Sequence, residues 1–198
     1  MIAGDLVGIL SMMGRKKRRN VPLLKSITFY LVKHKTLLDI KQVSDCLFAL
    51  KLLSYKDQHT LEMLCTQLET LIQGTDNPAV LRSVLISLGQ LKYLNTPVLE
   101  RIIDWHKARL ERNIPMSTKD MITLIMTCAT LNYKPVQGNS LLQHISQNLT
   151  QEPDQPDYLW VDTVWSLTLL GIATHQQLES VLSQTFYTNL ICKYRYAN

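Results

Sequence analysis

The 198-residue chain is 46% hydrophobic and 19% charged, which excludes a disordered segment and allows one sizeable core or a short repeat array. Seven glycines, seven prolines and a 7% aromatic share argue against a β-sandwich or barrel and for an all-α chain. The net charge of +5 is local: residues 1–38 hold eight Lys/Arg against Asp5 alone, while residues 39–198 hold thirteen against fifteen acids, so a polyanionic partner would dock at the N-terminal end.

In chain order, the opening "MIAGDLVGILSMM" is apolar but lacks a basic leader, and reads as a helix rather than a signal peptide. It runs into five consecutive cations, Arg15 to Arg19, and then into a second apolar helix expected over 21–37. From there a phrase recurs: "CLFALKLLSY" ends at Tyr55, "VLISLGQLKY" at Tyr93, "LIMTCATLNY" at Tyr133 and "TVWSLTLLGI" at Ile172, in steps of 38, 40 and 39 residues. Leu47, Leu85, Ile125 and Val164 share one column, and Leu50, Leu88, Cys128 and Leu167 another, at helical spacing. "GILSMMG" is an earlier, weaker copy in which Ile9 falls on Leu47 and Met12 on Leu50.

Each phrase is followed by a polar link and a second apolar helix, expected over 59–73, 96–111, 139–149 and 175–192. Thr96 reads as an N-cap with Pro97 at the first helical position, as does Asn77 with Pro78; Thr174 with Gln177, and more loosely Ser117 with Asp120, read as capping boxes. The expected architecture is an α-solenoid, one helical-repeat domain of about five hairpins (5–38, 39–76, 77–115, 117–152 and 157–195), because no hairpin alone can bury its apolar face.

No catalytic constellation is present. Phosphate-loop, dinucleotide, nucleophile-elbow, zincin and kinase motifs are all missing from the sequence, and the reading is of a non-enzyme with no cofactor and no metal. The five histidines show no metal-ligand spacing. Cys46, Cys65, Cys128 and Cys192 are far apart, and three of the four sit in apolar runs, as thiols buried in a reducing compartment would. No uninterrupted apolar stretch reaches the ~18 residues of a membrane span.

Three features are candidate binding elements. Arg15, Lys16, Lys17, Arg18 and Arg19 fall at the turn of the first hairpin, where they could pair with phosphates, serve as a nuclear-import address, or form a solvated loop. Asp45, Ser83, Thr123 and Asp162 share one column, with the small Ala49, Ser87, Thr127 and Ser166 four residues on; Ser11 fits the small column. Such side chains read bases in modular RNA readers, and they equally suit close helix packing under a solvated polar row. The helix end "WHKARLERN" adds His106, Lys107, Arg109 and Arg112, which either extend a basic path or pair with Glu100, Asp104 and Glu111.

"LSMMGRKKRRNVPLLKSITFYLVKH" followed by "LLDIKQVSDCLFALKLLSY" resembles the FAST kinase domain-containing family of mitochondrial RNA-regulating proteins, with "RKKRRNVPLL" its most specific part and the likeness weaker after residue 115. The resemblance implies a helical-repeat region, a mitochondrial matrix location and binding to single-stranded mitochondrial transcripts, alongside other RNA-processing proteins, with effects on mRNA stability and processing. Nothing in the chain matches the family's C-terminal nuclease-like RAP domain or a transit peptide, so it reads as the repeat part of a longer protein. The alternative is a protein-interaction scaffold with no direct RNA contact, which the −2 balance of residues 39–198 suits.

Overall fold

A computed structural model describes residues 3–135 and 139–188, and within them every regular element is helical. The chain divides into two compact units, Met1–Met116 and Ser117–Asn198, at the hairpin break expected around Arg112–Pro115.

The first unit contains α1 (Ala3–Arg15), α2 (Val21–Lys33), α3 (Ile40–Leu52), α4 (Gln58–Leu71, continued by a 3-10 turn to Gly74), α5 (Pro78–Gln90) and α6 (Thr96–Glu111). First helices pack on first helices, α1 on α3 and α3 on α5, while α2 packs on α4 and α4 on α6. The core lies between these two layers and is built on Leu10, Leu24, Leu47, Leu50, Leu64, Leu68, Leu85 and Ile102, all fully enclosed or nearly so. The second unit contains α7 (Thr118–Thr130), α8 (Asn139–Asn148), α9 (Asp157–Leu170) and α10 (His175–Leu182), with α7 on α9 and α9 on α10, around Ile125, Cys128, Ile145, Trp160 and Leu167. This is an all-α helical-repeat fold.

One turn recurs at the end of every first helix. Lys17, Ser54, Lys92, Asn132 and Gly171 all adopt the left-handed conformation, with φ of 51°, 47°, 49°, 48° and 74°. The next amide in each case donates five residues back, from Arg18 to Met13, Tyr55 to Leu50, Tyr93 to Leu88, Tyr133 to Cys128 and Ile172 to Leu167. This Schellman arrangement satisfies carbonyls that the helix end leaves unpaired.

The shared turn corrects the register of the first copy. Leu10 falls on Leu47 and Met13 on Leu50, both buried, whereas Ile9 is half-buried and Met12 exposed. Ser11 therefore corresponds to Phe48, not to the small column. The basic run hid this, because Arg18 occupies the place that tyrosine holds in three other repeats.

The expected caps hold at Asn77, Ser117 and Thr174, whose side chains accept from Ala79, Asp120 and Gln177 amides. At α6 the cap is Asn95 rather than Thr96: its carboxamide oxygen accepts the Val98 amide at 3.0 Å, and Pro97 follows one position later than expected. Asn20, Asp39 and Asp57 cap α2, α3 and α4 in the same way. The first helices approach closely where residues are small, since a methyl group added at Gly14 would stand 3.0 Å from the Ala49 Cα. Ser87 and Ser166 are buried and turn their hydroxyls onto their own helices, toward the Ser83 and Asp162 carbonyls. The small column is thus a packing feature. α10 ends at Leu182 and, after Ser183, residues 184–188 are again helical; the rest of the helix expected over 175–192, Cys192 included, lies outside the described residues. Cys46, Cys65 and Cys128 are buried free thiols; burial, reinforced by Asp45 and Glu69, pushes the first two up to about 12.

Candidate nucleic-acid interface

The basic run starts inside a helix and leaves through a turn. Arg15 is the last residue of α1, Lys17 holds the left-handed position, and Asn20 starts α2 by capping the Leu23 amide. Five cations therefore project from a short, well-defined corner, and all five are exposed.

They are not equivalent. The Arg19 Nε donates to the Leu53 carbonyl at 3.0 Å, reaching the C-terminal turn of α3. Lys56, at the same place one repeat on, donates from Nζ to the Lys92 carbonyl at 2.9 Å, at the end of α5. In the second unit, the Lys134 Nζ would lie 3.8 Å from a Cβ placed on Gly171 of the next such turn. A cation two residues after the left-handed residue thus reaches toward the negative end of the neighbouring first helix, where the macrodipole favours it. Arg19 is a bridge between repeats. Arg15, Lys16, Lys17 and Arg18 have no such engagement.

Arg15 and Lys16 open onto a groove of about 570 Å³ between α1 and α3, shared with Ser11, Met12, Lys41 and Asp45. Gly4 and Gly8 line its wall. A smaller adjoining hollow of about 220 Å³ joins Ser11, Arg15, Asp45, Phe48 and Ser83. Phe48 is exposed, and the Lys51 ammonium sits 4.1 Å from its ring centroid. Partial burial lowers the Lys51 pKa.

Two features that are separate in the sequence, the basic run and the first half of the polar column, therefore meet on one surface. Asp45 and Ser83 are both half-buried there, and neither forms a simple solvated row. A groove with cations along one edge and an exposed aromatic ring can hold phosphates and stack a base.

The other candidates lie elsewhere. Thr123 is half-buried with its hydroxyl donating to the Lys119 carbonyl at 2.8 Å, and Asp162 is exposed on α9; both belong to the second unit. Lys107 is half-buried on α6. Arg109 lies over the Trp105 ring, 4.7 Å from its centroid, and Arg112 ends the helix. His106 is buried and meets Trp105 edge-on, so it extends no basic path.

Sequence reading missed the large apolar column three residues beyond the polar one: Phe48, Ile86, Met126 and Trp165. Phe48 and Trp165 are exposed, at 39% and 64%, while Ile86 and Met126 are half-buried. The signal was present at the repeat spacing, but these residues directly follow the core column and pass for core.

The fold and the groove define a helical-repeat module with a cationic, aromatic outer face. Residues 121–191 match the family described as FAST kinase-like protein, subdomain 1. Nearly the whole chain is similar to FAST kinase domain-containing protein 4: 27% identical over 188 residues to the Homo sapiens protein and 25% over 192 residues to that of Rattus norvegicus, in each case 94% of this chain and 29% of the relative. The Mus musculus protein is 26% identical over 90% of this chain and 28% of its own length. The chain therefore spans under a third of the relatives it matches. The likeness does not fade after residue 115 as the sequence reading held, since the family match falls on the second unit. The recurrent leucines there are shared by many helical repeats and could not reveal it.

Proposed function

We propose that this chain is an RNA-binding helical-repeat module that holds single-stranded RNA on the outer groove of α1 and α3, with Arg15, Lys16, Lys17 and Arg18 as the phosphate contacts. The observation that carries this reading is the convergence of Arg15 and Lys16 with Lys41 and with Phe48, over which Lys51 lies, on one open surface that the exposed Lys17 and Arg18 adjoin in the chain. The module protects or positions a transcript and carries out no reaction of its own, despite the word kinase in its relatives' name. The resemblance of its basic hairpin and leucine phrases to the FAST kinase domain-containing family supports a place in the mitochondrial matrix and a role in mRNA stability or processing, alongside other RNA-processing proteins.

The test is binding of a labelled 20-nucleotide single-stranded RNA at 50 and 200 mM salt. Four phosphates neutralised on a single strand give a slope of about −3 in log K against log salt, or about a fiftyfold loss across that range. A salt-insensitive or absent interaction rejects the reading.

A second reading, a protein-interaction scaffold, is favoured by one observation: Tyr158, Trp165 and Leu169 are exposed on one face of α9, around Asp162.

A further inference from the structure

A second cleft in the first unit has chemistry that the outer groove does not share. It lies between the link after α4 and the outer side of α6, encloses about 350 Å³, and is lined by Asp76, Arg101, Asp104, Trp105, Arg109 and Arg112 among others. That volume falls within the ~300–1,000 Å³ of small-molecule sites. Its wall is held in place: the Trp105 indole N–H donates to the Thr75 carbonyl at 2.8 Å, and the Arg109 guanidinium rests over the ring.

The charges in this cleft remain uncombined. Three guanidiniums and two carboxylates line one hollow, yet among the described residues no ion pair within 4.0 Å joins Arg101, Arg109 or Arg112 to Asp76 or Asp104. A ligand that satisfies both sets carries an oxyanion for the arginines and a hydrogen-bond donor for the carboxylates. Arginine forks match phosphate geometry bidentately, and an ionised carboxylate only accepts. Inorganic phosphate satisfies the first set only.

We infer that this cleft binds a nucleoside monophosphate, with Arg101, Arg109 and Arg112 on the phosphate and Asp76 or Asp104 on the donor edge of the base. Guanine, with adjacent N1–H and N2–H donors, fits a carboxylate better than adenine. The same unit of chemistry occurs in a free nucleotide and in the 5′-terminal nucleotide of an RNA. The inference stands independently of the basic-hairpin reading, because no residue is shared between the two sites.

The test is calorimetric titration of the full chain with GMP, AMP and inorganic phosphate. Expected are saturable GMP binding tighter than that of AMP or phosphate, about a tenfold loss or more in an Arg101→Gln, Arg112→Gln variant, and loss of the guanine preference in Asp104→Asn, Asp76→Asn. Arg101, Arg112, Asp76 and Asp104 are exposed, and an unchanged circular dichroism spectrum shows that the variants fold. Absence of GMP binding at millimolar concentration, equal binding of phosphate alone, or unaltered affinity in the arginine variant overturns the inference. Two RNAs that differ only in a 5′-phosphate or 5′-hydroxyl then separate the sources: discrimination between them assigns the RNA end, and GMP binding without it assigns a free nucleotide. GMP binding that survives substitution of Arg15, Lys16, Lys17 and Arg18 distinguishes this site from the outer groove.

Discussion

α3 and α9 occupy the same place in their repeats and differ outward in their cations. Outward from α3 stand Lys41, Asp45, Phe48 and Leu52, and Lys51 lies over the phenyl ring. At the matching positions of α9 stand Tyr158, Asp162, Trp165 and Leu169, all four exposed and none cationic. Inward, Leu50 and Leu53 fall on Leu167 and Leu170, and Leu47 falls on Val164; outward, an acid, an aromatic ring and a leucine recur while the cations Lys41 and Lys51 give way to Tyr158 and Thr168. Function in such a fold is written on positions that packing leaves free.

The largest expected effect breaks or sharpens that contrast directly. Replacing Arg15, Lys16, Lys17 and Arg18 with Ser, and sparing the bridging Arg19, should weaken RNA binding at 50 mM salt by about ten- to a hundredfold and flatten the salt slope. Trp165→Ala with Leu169→Ser should change the same affinity by less than about twofold, because base stacking on an aromatic ring is worth ~1–3 kcal/mol where it occurs. A fivefold or greater loss from the α9 pair would show that both faces meet RNA, and the comparison would fail. Fluorescence anisotropy with one labelled RNA measures both.

Next comes helix packing in the first unit. Gly14→Ala pushes a methyl group to 3.0 Å from the Ala49 backbone and should destabilise by ~1–3 kcal/mol. Gly8→Ala meets nothing within 4 Å and should stabilise α1 by up to ~1 kcal/mol. Urea denaturation of the two variants decides whether α1 is seated as described.

A pH dependence follows in the first unit, where burial raises two thiols, Cys46 and Cys65, to about 12. Their folded pKa lies above the ordinary 9.0, so their contribution is complete below pH 9 and is lost as pH rises toward 12. Each thiol should lower stability by up to ~1.4 kcal/mol per pH unit in that window. Cys46→Ala with Cys65→Ala should remove the slope in urea midpoints measured from pH 8 to 10.

The smallest effect concerns the shared turn. Lys92 holds a left-handed conformation that costs a non-glycine residue energy, so Lys92→Gly should raise stability by ~0.5–1 kcal/mol. Gly171→Ala, at the same turn in the second unit, should lower it by a similar amount, measured as a shift in thermal midpoint.

Much of this was readable in the chain. Helical period and the recurring leucines determined an all-α helical-repeat fold, because a column that repeats every 37–40 residues at helical spacing buries itself against its neighbours. Side-chain oxygens at Asn77, Ser117 and Thr174 marked helix starts, since capping is a local bond. At α6 the same logic slipped by one residue: Asn95 and Thr96 both offer a capping oxygen, and only the path of the backbone selects Asn95. The register of α1 was illegible for a different reason. Its turn is made of cations, so the tyrosine that marks three other repeats is missing, and burial of Leu10 and Met13 identifies the inward face.

The sequence by itself determined the class of fold and the place where positive charge concentrates, since both follow from local spacing and composition. Tertiary structure alone decided that Arg19 reaches the end of α3, that Arg15 shares a hollow with Asp45, Phe48 and Ser83, and that Trp165 faces outward while Trp160, five residues earlier, is buried. These are relations between residues tens of positions apart, or between neighbours on opposite sides of one helix. Their outcome depends on how helices seat against each other, which no local pattern encodes.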